Sequence, residues 1–229
     1  MNAREIMLGR LRAAAPKAAA AVDLDRRIDA HFDARRATRS ASELAQSLQA
    51  AMTASHAEVW QASRSAWPAL LAQQLDAHGV RRLLLDTAGA EGAALSQALP
   101  PTMQALPFSQ PIEAWKSELF DSVDAGFTVA RSGIAATGTL VLAPDAGTPR
   151  TVSLVPPLHI ALVYANTLHA DLHAAARAER WRDGMPTNLV LVSGPSKTSD
   201  IQQTLAYGAH GPRRMWVIIV TDDATEATP

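Results

Sequence analysis

Apolar positions follow two rhythms along the chain, one near the helical period and one in short continuous runs. "NAREIMLGRLRAAAP" sets Ile6, Leu8 and Leu11 among charges, which predicts a short amphipathic helix ending before Pro16. From Lys17 to Ser40 large apolar residues are sparse while Ala and Arg abound, and an irregular connector is expected there. Ser40 or Ser42 then caps a helix running through Leu44 and Leu48 towards Met52. Beyond it, strands and helices alternate. "AEVWQA" and "VRRLLLD" are strands. "AWPALLAQQLDAHG" is a helix with Leu70, Leu71 and Leu75 on one side and Gly79 at its end. "EGAALSQAL" and "IEAWKSELFDSV" are further helices. "GFTVARSGIAATGTLVLAP" reads as two strand segments joined through glycines, continued by "TVSLVPPLHIALVYA". A helix is expected over 168–181, a strand over 189–192, a helix over 199–207 and a strand over 215–220.

This alternation predicts an α/β fold: a mostly parallel sheet covered by helices on both faces. The run of strands without an intervening helix adds an antiparallel or hairpin element. The expected organisation is an N-terminal helix and connector over 1–40, an α/β domain over 41–221 and a polar tail over 222–229.

Charge and cysteine usage narrow the function classes. The 229 residues carry 21 Lys+Arg against 22 Asp+Glu, so no basic surplus draws the chain to nucleic acid or anionic membrane. The absence of cysteine excludes disulfides, thiol catalysis and iron–sulfur ligation by this chain. Arg4, Glu5, Arg10 and Arg12 interrupt any secretory core near the start, and no apolar run is long enough to span a bilayer. A cytoplasmic location is the expectation.

The candidate chemistry centres on "LVLVSGPSKTSDIQQTL". A strand here gives way to small and polar residues before an expected helix. Ser199 stands three residues before Gln202, the spacing of a capping box. Ligands of open α/β sheets bind at the carboxyl ends of strands, where a helix N-terminus offers free N–H groups. Gly194 allows close backbone approach, Ser196, Thr198 and Ser199 add hydroxyls, and Lys197 adds a full charge. The convergence favours a small-anion pocket over a merely well-capped turn. A nucleotide P-loop is excluded, because Ser196 and Leu191 occupy positions where that motif needs glycine.

In "RSGIAATGTLVL", Gly133 and Gly138 lack the spacing of a dinucleotide fingerprint. Gly138, between Thr137 and Thr139, marks either a close approach to a ligand or a bent strand. His169 and His173 stand four apart on an expected helix, but no third metal ligand accompanies them, and a solvated helix face is the better reading. His159 opens an apolar strand and is expected to be buried and hydrogen-bonded. His210 lies in a tight loop, and either histidine could line the pocket. Glu113, Glu118, Asp121 and Asp124 read as solvated helix charges.

"GIAATGTLVL", "SLVPPLHIALV" and "SGPSKTSDIQQTLAYGAHGP" resemble the lactate-utilisation protein C (LutC) family, which carries the LUD domain. "REIMLGRLRAA" and "WKSELFDSVDAGFTVARSGIA" extend the resemblance over nearly the whole chain, most weakly from Lys17 to Ser40. The resemblance implies the NagB/RpiA/CoA transferase-like fold, shared with formyltetrahydrofolate cyclo-ligases. It implies a part in oxidation of L-lactate to pyruvate alongside iron–sulfur partner subunits, with no cofactor in this chain. It marks Thr137, Gly138, Thr139, Ser193, Gly194, Ser196, Lys197, Thr198, Ser199, Asp200, His210 and Gly211 as ligand-binding positions, and no catalytic residue is assigned. Ala136 stands where the family often has an acidic residue. The alternatives are an independent enzyme of the same fold, acting on a phosphosugar, a CoA ester or a folate, and a scaffold for partner subunits.

Overall fold

The structure, a computed structural model, describes residues 3–14, 21–198 and 206–222. They divide between two units, Met1–Thr38 and Arg39–Pro229. The first unit carries helices α1 (Ala3–Ala14) and α2 (Ala21–Asp33). The second helix overturns the expected connector. Its few large apolar residues, Leu24, Ile28 and Phe32, are spaced four apart on one helical face, and Arg26, Arg27 and Ala30 between them are good helix formers.

The larger unit begins with α3 (Ala41–Ala54), β1 (Glu58–Ser63), α4 (Trp67–Ala77), β2 (Arg82–Leu84), α5 (Ala90–Ala98), β3 (Gln104–Leu106) and α6 (Ile112–Asp121). It continues through β4 (Ala125–Val129), β5 (Ser132–Ile134), β6 (Thr139–Leu142), α7 (Arg150–Leu154), β7 (Leu158–Tyr164), β8 (Leu168–His169), α8 (Leu172–Ala178) and β9 (Val190–Val192). It closes with β10 (Lys197–Thr198), β11 (Ala206–Tyr207) and β12 (Arg214–Thr221).

Six strands in the order β1-β12-β7-β4-β2-β3 form a wholly parallel sheet. β7 and β12 are adjacent inner strands and are apolar on both faces, as a sheet covered on both sides requires. Ala161, Val163, Met215, Val217 and Ile219 pack against Leu44, Leu48 and Met52 of α3. Ile160, Leu162, Trp216, Ile218 and Val220 face the opposite way, towards Trp67, Leu71 and Leu75 of α4. A second sheet, ordered β8-β5-β6-β9, pairs β6 antiparallel with both neighbours and supplies the expected antiparallel element.

The cap at the head of α3 is complete. Ser40 Oγ accepts from the Glu43 N–H, and the Ser40 N–H donates back to Glu43 Oε2 at 2.7 Å. Ser40→Ala is expected to lower the melting temperature by about 2–4 °C, measured by circular dichroism. An unchanged melt would mean that the cap is not holding the helix.

Several expected elements differ. The glycine stretch forms three strands rather than two. β3 had too short an apolar signature to be read. Arg150–Leu154 is helical, entered at Pro149 and ended ahead of the Pro156–Pro157 pair, so the strand starts only at Leu158. Leu168–His169 is a strand, so His169 and His173 do not share a helix. The helix expected over 199–207 ends wrongly: Ala206–Tyr207 is β11, paired antiparallel with Lys197–Thr198. Thr198 and Tyr207 favour strands, a signal that the helical spacing obscured. Residues 199–205, with the expected capping pair Ser199 and Gln202, lie outside the described residues.

Candidate functional site

Two cavities meet at Ser153 of α7. The first, of about 210 Å³, lies where β9 ends and the loop before β12 begins. It is lined by Ser193, Gly194 and Ser196 from one side and by His210 and Gly211 from the other, with His159 and Ser153 deeper in the fold. Five of the positions marked in the sequence are thus brought together. Lys197 is not among them: it sits exposed on β10 opposite Tyr207. Thr198 lies beside it opposite Ala206, and Ser199 and Asp200 fall outside the described residues.

The other motif reaches the same wall through hydroxyls. Thr137 Oγ1 lies 2.7 Å from Thr139 Oγ1, which lies 2.7 Å from Ser193 Oγ. Thr139 is buried, so this chain of hydroxyls fixes Ser193 at the rim. Gly138 plays a different part. Its φ of 60° and the 2.8 Å that would separate a Cβ from Ala51 Cβ show the turn between β5 and β6 closing tightly against α3. Gly194, with φ 131°, meets the end of the same helix, where a Cβ would stand 2.8 Å from the Ser55 carbonyl. The Ser196 N–H donates to the Pro212 carbonyl at 2.8 Å and the Gly208 N–H to the Ser196 carbonyl at 2.9 Å, which closes the two loops on each other.

His159 is 1% exposed and its Nε2 lies 2.9 Å from Thr128 Oγ1. Burial pushes its pKa down to about 4, so the ring is neutral near pH 7. Among the described residues no Asp, Glu, Lys or Arg lines this cavity. Its chemistry is that of hydroxyls and imidazoles set in an apolar wall that includes Leu154, Val192 and Met215.

The second cavity, of about 180 Å³, lies at the carboxyl ends of β2 and β4 and was not anticipated. Asp86 stands two residues past the end of β2, Glu91 sits in the first turn of α5, and Thr128 and Val129 close β4. Asp86 Oδ1 accepts from the Ala88 N–H at 3.0 Å, and a Cβ on Gly89 or Gly147 would stand 3.0 Å from the Asp86 carboxyl group. Glu91 Oε1 accepts from Tyr164 Oη–H at 2.8 Å. Burial, with Glu91 beside it, pushes the Tyr164 pKa up to about 12. Asp145 completes an acidic lining. The readable signal was "LLLDTAGAEG", an acid leaving a strand ahead of a glycine-rich helix start.

The acids singled out earlier are structural or exposed. Glu118 pairs with Arg82, Asp124 Oδ2 accepts from the N–H groups of Arg81 and Arg82, and Glu113 and Asp121 are exposed. Among the described residues no group of three or more His, Cys, Asp or Glu could hold a metal ion, and no helix is long and apolar enough to cross a membrane.

The LUD domain model matches residues 39–220. A protein of Neisseria meningitidis serogroup B carrying no functional name is 41% identical over 176 residues, 76% of each chain. Lactate utilization protein C of Shouchella clausii is 36% identical over 108 residues, and that of Halalkalibacterium halodurans 37% over 113. Each match covers 46% of this chain and 47% of the relative, so the chain spans about half the length of these curated relatives. A crystal structure of a DUF162 family protein from Deinococcus radiodurans superposes with a TM-score of 0.58 at 25% identity, covering 80% of this chain and 99% of the other.

Proposed function

The chain belongs to the LUD domain family, and from that footing we propose that it serves lactate utilisation by binding a small carboxylate in the cavity at the end of β9. In this reading it is a cytoplasmic component or regulator of a system that oxidises L-lactate to pyruvate, and partner subunits carry the iron–sulfur clusters. The observation that carries the proposal is the meeting of the two motifs. Thr139 and Ser193, 54 residues apart, are hydrogen-bonded at one cavity wall. The names of the half-length relatives support the metabolic setting.

Calorimetric titration with L-lactate, pyruvate and phosphate tests the site. Ser193→Ala is expected to weaken carboxylate binding by up to about tenfold, the worth of one hydrogen bond. Lys197→Ala is expected to leave it unchanged, because that side chain is exposed and outside the cavity. The reverse pattern would move the site to the β10–β11 ribbon.

The metabolic role is tested separately. The purified chain is expected to be colourless, free of iron and flavin, and unable to oxidise lactate with a dye acceptor. Deleting its gene is expected to impair growth on L-lactate in a strain with no second lactate route. Robust turnover by the isolated chain, or undiminished growth, would end this reading.

The acidic cavity favours a second reading, an independent enzyme in which Asp86 and Glu91 act as acid and base at the sheet's carboxyl edge. It requires turnover of a phosphosugar, CoA ester or folate that Asp86→Asn abolishes.

A further inference from the structure

We infer that the Thr128–His159 pair is a two-way hydrogen-bonding device at the inner end of the β9 cavity, which lets one site hold both a short 2-hydroxy carboxylate and the corresponding 2-oxo carboxylate. The inference rests on the carboxylate-binding reading above. His159 is buried almost completely yet lines the cavity, and its Nε2 is engaged by Thr128. Among the described residues no protein group pairs with its Nδ1. Among the described residues the sealed polar side-chain atoms left without a partner are Trp115 Nε1 and Thr151 Oγ1, so Nδ1 is open to the cavity, where a ligand group can take the place of water.

The Thr128 hydroxyl has one proton and free lone pairs, so it can donate to Nε2 or accept from it. If it donates, the ring proton sits on Nδ1, which can then donate to a carbonyl oxygen. If it accepts, the ring proton sits on Nε2, and the Nδ1 lone pair can accept from a hydroxyl. Rotating one hydroxyl and exchanging one ring proton therefore converts the site between a carbonyl reader and a hydroxyl reader, with no heavy atom moving.

The rest of the cavity fits the same ligand class. Ser193 and His210 are exposed at the mouth and Ser196 stands beside them, where a carboxylate keeps contact with water. That suits a cavity whose lining carries no full positive charge among the described residues. Val192, Leu154 and Met215 supply apolar surface for a short alkyl group.

The test uses the full chain, with L-lactate, pyruvate and propionate as probes. Propionate lacks the 2-oxygen. The wild type is expected to bind lactate and pyruvate within about tenfold of each other, and propionate about tenfold more weakly. His159→Leu is expected to bring lactate and pyruvate down to the propionate level and to leave propionate unchanged. Thr128→Val is expected to widen the gap between lactate and pyruvate, and Thr128→Ser to restore it. Nitrogen-15 spectra of the imidazole report the tautomer directly: the proton is expected on Nδ1 with pyruvate and on Nε2 with lactate. The same tautomer in both complexes overturns the inference, as does a loss at His159→Leu that strikes all three probes equally. Those outcomes leave the carboxylate site standing, whereas a wild type that binds none of the three removes the site and the inference together.

Discussion

Gly126→Ala is expected to destabilise the larger unit by more than about 4 kcal/mol, enough to leave much of the chain unfolded at 37 °C. A Cβ at this position would stand 2.0 Å from the Val152 carbonyl oxygen and 3.1 Å from its carbon, with Pro156 Cγ at 3.2 Å. No rotamer relieves such a clash, because a Cβ has no side-chain torsion to turn. Either β4 or α7 must move. β4 is an inner strand, held by β2 on one side and β7 on the other, and α7 is held by the Pro149 and Pro156–Pro157 turns. Ser153 of α7 borders both cavities, so any fraction that stays folded is also expected to lose carboxylate binding. Gly184→Ala is the control: nothing lies within 4 Å of its added carbon, and its cost is expected to stay within about 0.5 kcal/mol. Urea unfolding of both variants decides the matter. Equal midpoints would show that α7 does not lie against β4 as described.

The second large effect is on pH. Stability is expected to be at its plateau above pH 6.5 and to fall by about 3 kcal/mol as pH drops to 4 through the buried His159. Its folded pKa, about 4, lies below the ordinary value of 6.5 because burial disfavours the charged ring. Between those values the unfolded chain binds the proton and the folded chain does not, so acid favours unfolding throughout that window. His169, half-buried, is shifted the same way by burial and adds to the slope, against the opposing pull of Glu179 and Asp171. His159→Gln separates the two, since glutamine can keep a hydrogen bond to Thr128 but cannot titrate. Its unfolding free energy, measured by urea denaturation from pH 7 to 4.5, is expected to lose most of the wild-type slope. An unchanged slope would show that His159 does not titrate as a buried neutral ring.

Much of this protein was legible in the order of its residues. The Ser40–Glu43 cap, the apolar runs of β7 and β12 and the βα alternation all rest on neighbours within a few positions, and such patterns survive in any tertiary setting. The LUD motifs and the burial of His159 were legible for the same reason. Where local signals competed, the sequence misled: the helical spacing near 199–207 hid the strand pairing of Thr198 with Ala206, and the sparse apolar residues of α2 hid a helix.

The site itself was decided by register and packing. Pairing β4 with β7 so that Gly126 stands opposite His159 places Thr128 within 2.9 Å of the ring, and no spacing along the chain encodes that. The antiparallel pairing of β6 with β9 sets Thr139 against Ser193. Gly194 looks from the sequence like an opening for a ligand, and Gly138 like either such an opening or a bend, yet each is small because α3 lies against it. Lys197 supplies the one full positive charge in the loop "SGPSKTS", but its strand pairing carries it to the surface, away from the cavity lined by Ser193, Gly194 and Ser196. Periodicity reports what a residue does with its neighbours, whereas a binding site is made where distant segments meet, and only the sheet register fixes those meetings.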